Sequence, residues 1–183
     1  MEATPVSLYW IGGAATAGKT TVVSYLGDHL PTNFCVYDFD DIGMPSQPYE
    51  QWRRHAIRSW LNTAMKNAKQ KHPTVIGGAI FLTEILEHRD ILGDLDILFC
   101  VLVMSPSELR RRMRERFCDD AKRELWLKSV GMGLEESIEL NMETMERYKR
   151  EAQKYEYLTI NTSQLIPDLV GTKVAQWIVR HCA

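Results

Sequence analysis

At 183 residues and about 150 residues per domain, the chain is expected to form one domain over 1–183. Its 45% hydrophobic, 9% aromatic and 25% charged residues are ordinary globular values, which excludes a disordered, collagenous or low-complexity protein. The net charge of −2 gives no global basic field to draw nucleic acid, so any phosphate affinity must be local.

No apolar run approaches the roughly 18 residues of a membrane span, and MEATPVSLYW lacks the basic start and long apolar stretch of a signal peptide. The expectation is a cytoplasmic protein without a membrane or nucleic-acid partner. Cys35, Cys100, Cys118 and Cys182 are scattered with no C-x-x-C pair, which suits reduced thiols better than a disulfide framework or a zinc site.

Along the chain, VSLYWIG (6–12), FCVYD (34–38), TVIGGAI (74–80), ILFCVLVM (97–104) and YLTIN (157–161) are short apolar runs that predict buried strands. Between them lie helical patterns. The clearest, over 50–71, repeats Trp52, Ala56, Ile57, Trp60, Leu61, Ala64, Met65 and Ala68 at spacings of three and four, with Arg53, Arg54, Arg58, Asn62, Lys66 and Lys69 on a solvated opposite face. Ser105-Pro106-Ser107-Glu108 predicts a helix start: Ser105 accepts from the Glu108 amide, the Glu108 side chain reaches back, and Pro106 suits the first helical position. That helix buries Leu109, Met113 and Phe117. A polar stretch, 118–133, precedes a helix from about Leu134 to Tyr155 and a last one from about Leu165 to Arg180. Alternating strands and helices predict an α/β domain with a mainly parallel sheet covered on both faces, and ligands of such sheets bind beyond the carboxyl ends of the strands.

Directly after the first strand stands Gly13-Ala14-Ala15-Thr16-Ala17-Gly18-Lys19-Thr20, the pattern G-x-x-x-x-G-K-[ST], with an apolar helix at once behind it. Small residues let the backbone turn its amides inward, and the helix N-terminus adds its positive dipole end. Lys19 would reach the outer phosphates, and the Thr20 hydroxyl would hold a magnesium ion bridging them. A chance match is expected in only about one chain in a few hundred of this length, so the loop is taken as a phosphate cradle.

With this loop the chain resembles the P-loop kinases of the nucleoside, nucleotide and small-molecule group, which includes adenylate, shikimate and gluconate kinases. The resemblance covers nearly the whole length and implies a three-layer sandwich with strand order 2-3-1-4-5, a short lid over about 117–133, and ATP with magnesium as cofactors. Thr16-Ala17-Gly18-Lys19-Thr20-Thr21 is similar to the S-A-G-K-[ST]-[ST] loop of chloramphenicol phosphotransferase-like enzymes, whereas adenylate kinases usually carry glycine where Thr16 stands. Asp38-Phe39-Asp40-Asp41 resembles the D-x-D of shikimate and gluconate kinases. There Asp38 would help position magnesium, Asp40 would accept the acceptor hydroxyl's proton, and Asp41 would lie on the acceptor side.

The resemblance extends to the helix Glu108 to Arg116, which holds five arginines against two glutamates. Arg112 and Arg116 match a pair four apart that leads into the lid, the first stacking on adenine and the second reaching phosphate; a planar guanidinium can do both. Lys122 and Arg123 would lie in the lid. Ile160-Asn161-Thr162-Ser163 is similar to the I-D-T-[SA] turn beside the adenine, with Asn161 in place of Asp; Thr162 or Ser163 could also cap the last helix. Gly77-Gly78 resembles the glycine pair that lets a shikimate-type acceptor approach the backbone. Arg53 and Arg54, in an acceptor-side helical region over about 41–72, stand where nucleoside monophosphate kinases hold the acceptor's phosphate.

A regulatory GTPase would need N-K-x-D, which is missing, and an AAA-type motor would need a strand ending in paired acids, which TVIGGAI and ILFCVLVM lack. The expected function is ATP-dependent phosphoryl transfer to a small hydroxyl-bearing metabolite or nucleoside, with Lys19, Asp40 and Arg116 catalytic. The alternatives are a nucleoside monophosphate kinase and a nucleotide-binding interaction protein without turnover.

Overall fold

Leu8–Gly12 forms β1, five consecutive buried residues, a run suited to a central strand covered on both faces. The computed structural model describes residues 8–43, 49–93, 95–119, 124 and 131–182. β1 pairs in parallel with Thr74–Gly77 on one side and Ile97–Val103 on the other, Leu8 lying opposite both Thr74 and Ile97. Cys35–Asp38 pairs with the first neighbour and Leu158–Asn161 with the second. Numbered β1 to β5 in chain order, the strands stand β2-β3-β1-β4-β5, the expected order. β3 ends at Gly77, three residues before the expected end, because two successive glycines contribute no side chain to continue the packed surface.

Seven helices lie around this sheet among the described residues: α1 (Lys19–His29), α2 (Tyr49–Lys69), α3 (Leu82–Leu86), α4 (Arg89–Leu92), α5 (Pro106–Arg116), α6 (Leu134–Tyr155) and α7 (Pro167–His181). α1 packs on α7, β2 and β3, while α6 packs on α5 and β4. Ala56, Ile57, Trp60, Leu61 and Ala64 of α2 are buried as the period requires. Its polar face departs from expectation at Arg53, which is largely covered, and the stripe takes in Asn67, whose amide donates to Thr74 Oγ1 at 3.0 Å. The core runs from Trp10, stacked on Phe99, to Phe99 stacked on Tyr157.

Two expected caps are corrected. Ser105 Oγ accepts from the Glu108 amide at 3.2 Å, but the Glu108 carboxylate turns to Arg111 and Arg112 instead of reaching back, and the Ser105 amide donates to Ser163 Oγ. The last helix begins at Pro167 behind Ile166 and has no side-chain cap, so neither Thr162 nor Ser163 caps it.

Candidate phosphate-loop site

The residues between β1 and α1 need a backbone that most side chains disfavour. Gly13, Thr16 and Gly18 have φ of 151°, 58° and 98°, and Thr16 holds its left-handed conformation without being glycine. A Cβ on Gly13 would lie 2.8 Å from the Leu102 carbonyl oxygen, so this position tolerates only glycine. At Gly18 a Cβ would meet nothing within 4 Å among the described residues, so none of them fills the space beside it. The amides from Gly18 to Thr21 have no intrahelical acceptor, as at any helix start; α1 has no side-chain cap and no acidic residue in its first turn. Thr16 Oγ1 is buried without a hydrogen-bond partner among the described residues. Uncapped amides at a positive dipole end, beside an orphaned hydroxyl, fit a bound phosphate chain.

Lys19 Nζ donates to the loop's own Ala14 carbonyl at 2.9 Å. Burial pulls its pKa down to about 8; Asp40 and Asp38 pull it up in part, and Arg116 opposes them. Asp40 is pushed above the usual carboxylate range, first by burial and then by Asp38, while Lys19 and Arg116 hold it back. The three expected catalytic side chains therefore act on one another electrostatically. Thr20 and Thr21 are exposed at the head of α1.

Asp38 closes β2, and residues Phe39–Ile42 turn into a 3-10 helix rather than continuing extended. Asp38 Oδ1 accepts from the Asp40 amide at 3.1 Å, and Asp41 Oδ2 accepts from the Asp38 amide at 3.0 Å. Asp41 thus closes the turn, and Asp40 is the acid left without a turn bond among the described residues. No group of three or more His, Cys, Asp or Glu side chains there could hold a metal. Thr20, exposed at the head of α1, and Asp38, at the end of β2, carry the oxygen donors that magnesium prefers.

Arg112 is fixed by four contacts: Glu108 Oε1 at 2.6 Å, the Thr162 carbonyl at 2.7 Å, Thr162 Oγ1 at 3.3 Å and the Thr16 carbonyl at 3.4 Å. It ties the phosphate loop to the 161–163 turn. In that turn Asn161 Oδ1 accepts from the Ser163 amide, and the buried Thr162 bonds the Val103 carbonyl through both its amide and its hydroxyl. Hydrogen bonds from Arg111 and then Arg112 draw the Glu108 carboxyl down to about 2. The remaining arginine density is structural: Arg110 pairs with Glu139 and Arg114 with Glu135, fastening α5 to α6. Arg116 is exposed, 5.6 Å from the Phe117 ring centre. Of the expected lid, 120–123 and 125–130 lie outside the described residues, Lys122 and Arg123 among them.

Arg53 Nε and Nη2 meet the two Glu84 carboxylate oxygens at 2.6 and 2.8 Å, Nη2 also donates to the Ala79 carbonyl, and Nη1 donates to Tyr49 Oη at 3.3 Å. Four of its five N–H donors are engaged among the described residues, and one on Nη1 is left over. Arg54 is exposed and has no ion pair among the described residues.

The Gly77-Gly78 pair is reassigned. A Cβ on Gly77 would strike Val23 Cγ2, and one on Gly78 would lie 2.5 Å from Phe39 Cβ. The close approach is made by the chain's own side chains, so it does not call for an acceptor. Sequence reading missed Glu84, Asn141 and Tyr148. The Asn141 side chain accepts from the Ala15 amide at 2.9 Å and Tyr148 lies against Gly12; an amide near the buried stripe of α6 was the available signal.

No protein-family model and no curated protein matches the sequence. Solved structures do match. Shikimate kinase from Acinetobacter baumannii in complex with shikimate aligns with a TM-score of 0.60 at 17% identity over 98% of this chain and 95% of that one. A gluconokinase from Sinorhizobium meliloti 1021 aligns with a TM-score of 0.59 at 14% identity over 97% and 94%. The Deinococcus radiodurans tunicamycin resistance protein aligns with a TM-score of 0.58 at 16% identity over 96% of each chain. With its all-parallel 2-3-1-4-5 sheet, the chain has the fold of the P-loop small-molecule kinases.

Proposed function

We propose that the protein is a kinase that moves the gamma-phosphoryl group of ATP to a hydroxyl of a small metabolite or nucleoside. The observation that carries this reading is the glycine-bearing loop between β1 and α1, with three positive φ values, an uncapped helix start and the orphaned Thr16 hydroxyl. The likeness in fold to a shikimate kinase and a gluconokinase supports it.

Phosphoryl transfer asks for alignment and charge neutralisation more than covalent chemistry. The loop residues Gly13 to Thr21 hold the phosphates, Lys19 neutralises the outer ones, and Arg116 adds charge as the phosphoryl group moves. Arg112, with its edge anchored, offers its face to the base, and Asn161 to Ser163 wall that side. Asp40 takes the proton of the acceptor hydroxyl, and its raised pKa makes it a better base than an ordinary aspartate. Thr20 and Asp38 are the residues that would hold magnesium, which would supply positive charge to offset that of the phosphates.

A hydroxyl acceptor is favoured over a phosphate because Arg53 is neutralised by Glu84. The nucleoside monophosphate reading rests on the exposed Arg54 alone. A thermal-shift screen of polyols, sugars, nucleosides and nucleoside monophosphates, each with a non-hydrolysable ATP analogue, tests the proposal. A hydroxyl acceptor raises the melting temperature beyond the analogue alone; stabilisation by monophosphates only would refute it.

A further inference from the structure

Helix α6 sends two side chains into the back of the phosphate loop. Asn141 Oδ1 accepts from the Ala15 amide at 2.9 Å, while its Nδ2 donates to the Ser137 carbonyl at 2.8 Å, which fixes the orientation of the amide group. Two turns later on the same face, the fully buried Tyr148 donates from its hydroxyl to the Ile80 carbonyl at 3.1 Å. The Tyr148 ring also fills the space in front of Gly12, where a Cβ would lie 2.9 Å from its Cε1. The loop thus has its Ala15 amide directed at α6 and its Gly12 backbone against the Tyr148 ring, on the side away from the uncapped amides at the head of α1.

That division matters because the loop does not hold its own shape. Three of its residues have positive φ, one of them the non-glycine Thr16, and its only internal backbone bond among the described residues outside α1 runs from the Ala17 amide to the Ala14 carbonyl at 3.3 Å. A backbone conformation that a non-glycine residue disfavours persists only when its surroundings fix it. We propose that Asn141 and Tyr148 are positioning residues for the phosphate loop, setting the direction of its amides from behind while touching neither nucleotide nor acceptor. Asn141 does so through its bond to the Ala15 amide, and Tyr148 through its ring against Gly12, which the hydroxyl's bond to the Ile80 carbonyl holds in place.

The inference rests on residues 13–20 being a phosphate cradle, and it is tested without turnover. Calorimetry measures the affinity of wild type, Tyr148→Phe and Asn141→Leu for ATP and for inorganic tripolyphosphate, with circular dichroism to follow melting. Tyr148→Phe removes one oxygen and keeps the ring; Asn141→Leu keeps the volume and removes the acceptor. Both variants are expected to lose affinity for both probes by about fivefold or more, in equal proportion, since a misdirected backbone donor weakens each phosphate contact. A role confined to stability would lower the melting temperature and leave folded protein with wild-type affinities, which would overturn the inference and leave the proposed function intact. Wild type that binds neither probe would overturn both. Each variant cuts a separate hydrogen bond, so either one that melts cooperatively decides the question.

Discussion

Arg53 and Glu84, 31 residues apart in sequence, join α2 to α3 through a two-pronged ion pair of 2.6 and 2.8 Å. Both side chains are about four-fifths covered, and Glu84 also accepts from the Phe81 amide at 2.8 Å. Burial alone would raise the Glu84 pKa; the Arg53 hydrogen bonds and charge reverse this and hold it below the usual range.

A carboxylate whose pKa is lowered on folding stabilises above its unfolded pKa, near 4.5, and loses that stabilisation as pH falls through the folded value. Glu84→Ala leaves Arg53 largely buried and unpaired, and should cost about 2–3 kcal/mol, less than a fully buried pair because of the residual exposure. Glu84→Gln should cost less and should flatten the loss of melting temperature on acidification below pH about 4.5. Wild-type and Glu84→Gln melting curves of the same acid slope would reject this assignment.

Lys19 sits with its amine on the Ala14 carbonyl and a pKa of about 8. A triphosphate favours the charged amine, so binding takes up a proton once the pH exceeds that value. ATP affinity should therefore weaken as pH rises through about 8, and Lys19→Met should remove that dependence along with most phosphoryl transfer. Calorimetry from pH about 7 to about 9 checks it; a pH-independent wild-type affinity would contradict the ionisation.

The arginines of α5 divide by their contacts. Arg112 is held by Glu108, Thr162 and Thr16, so Arg112→Ala should weaken nucleotide binding about tenfold and also lower the melting temperature by freeing the 161–163 turn. Arg116 lies on the exposed end of the helix, and Arg116→Ala should leave stability unchanged and reduce kcat more than nucleotide affinity, as expected of a contact that strengthens in the transition state. Steady-state kinetics with melting curves separate the two.

Gly77→Ala and Gly78→Ala probe the reassigned glycine pair. Each added methyl meets a packed neighbour, Val23 or Phe39, and overpacking of this kind costs about 1–3 kcal/mol. Shaving the neighbour should restore stability: Val23→Ala in the first case, and Phe39→Leu in part in the second. Unchanged stability in both single variants would refute the packing role.

Local patterns were legible in the sequence. The loop carries its chemistry in eight consecutive residues, β1 and β4 are continuous apolar runs, and Ser105 announces α5 within four positions. What stayed hidden depends on the fold bringing distant residues together. Asn141 reaches Ala15 across 126 positions and Arg112 reaches Thr162 across 50; no spacing rule links such pairs. Gly77-Gly78 was legible as a place of close approach, but the sequence does not say what approaches. Arg53 read as a basic residue of a solvated face or a holder of an acceptor's phosphate, because its neutralising partner lies on a helix too short to be seen as a pattern.

Transfer to a hydroxyl is tested by ATP-dependent product formation by wild type, Asp40→Asn and Arg54→Ala with the best acceptor of the screen. With Asp40 as general base, Asp40→Asn should cut turnover about a hundredfold while ATP affinity stays within about twofold, and Arg54→Ala should have little effect. A phosphate acceptor is already ionised and needs no base. A mild effect of Asp40→Asn beside a severe effect of Arg54→Ala would contradict transfer to a hydroxyl and favour a nucleoside monophosphate kinase.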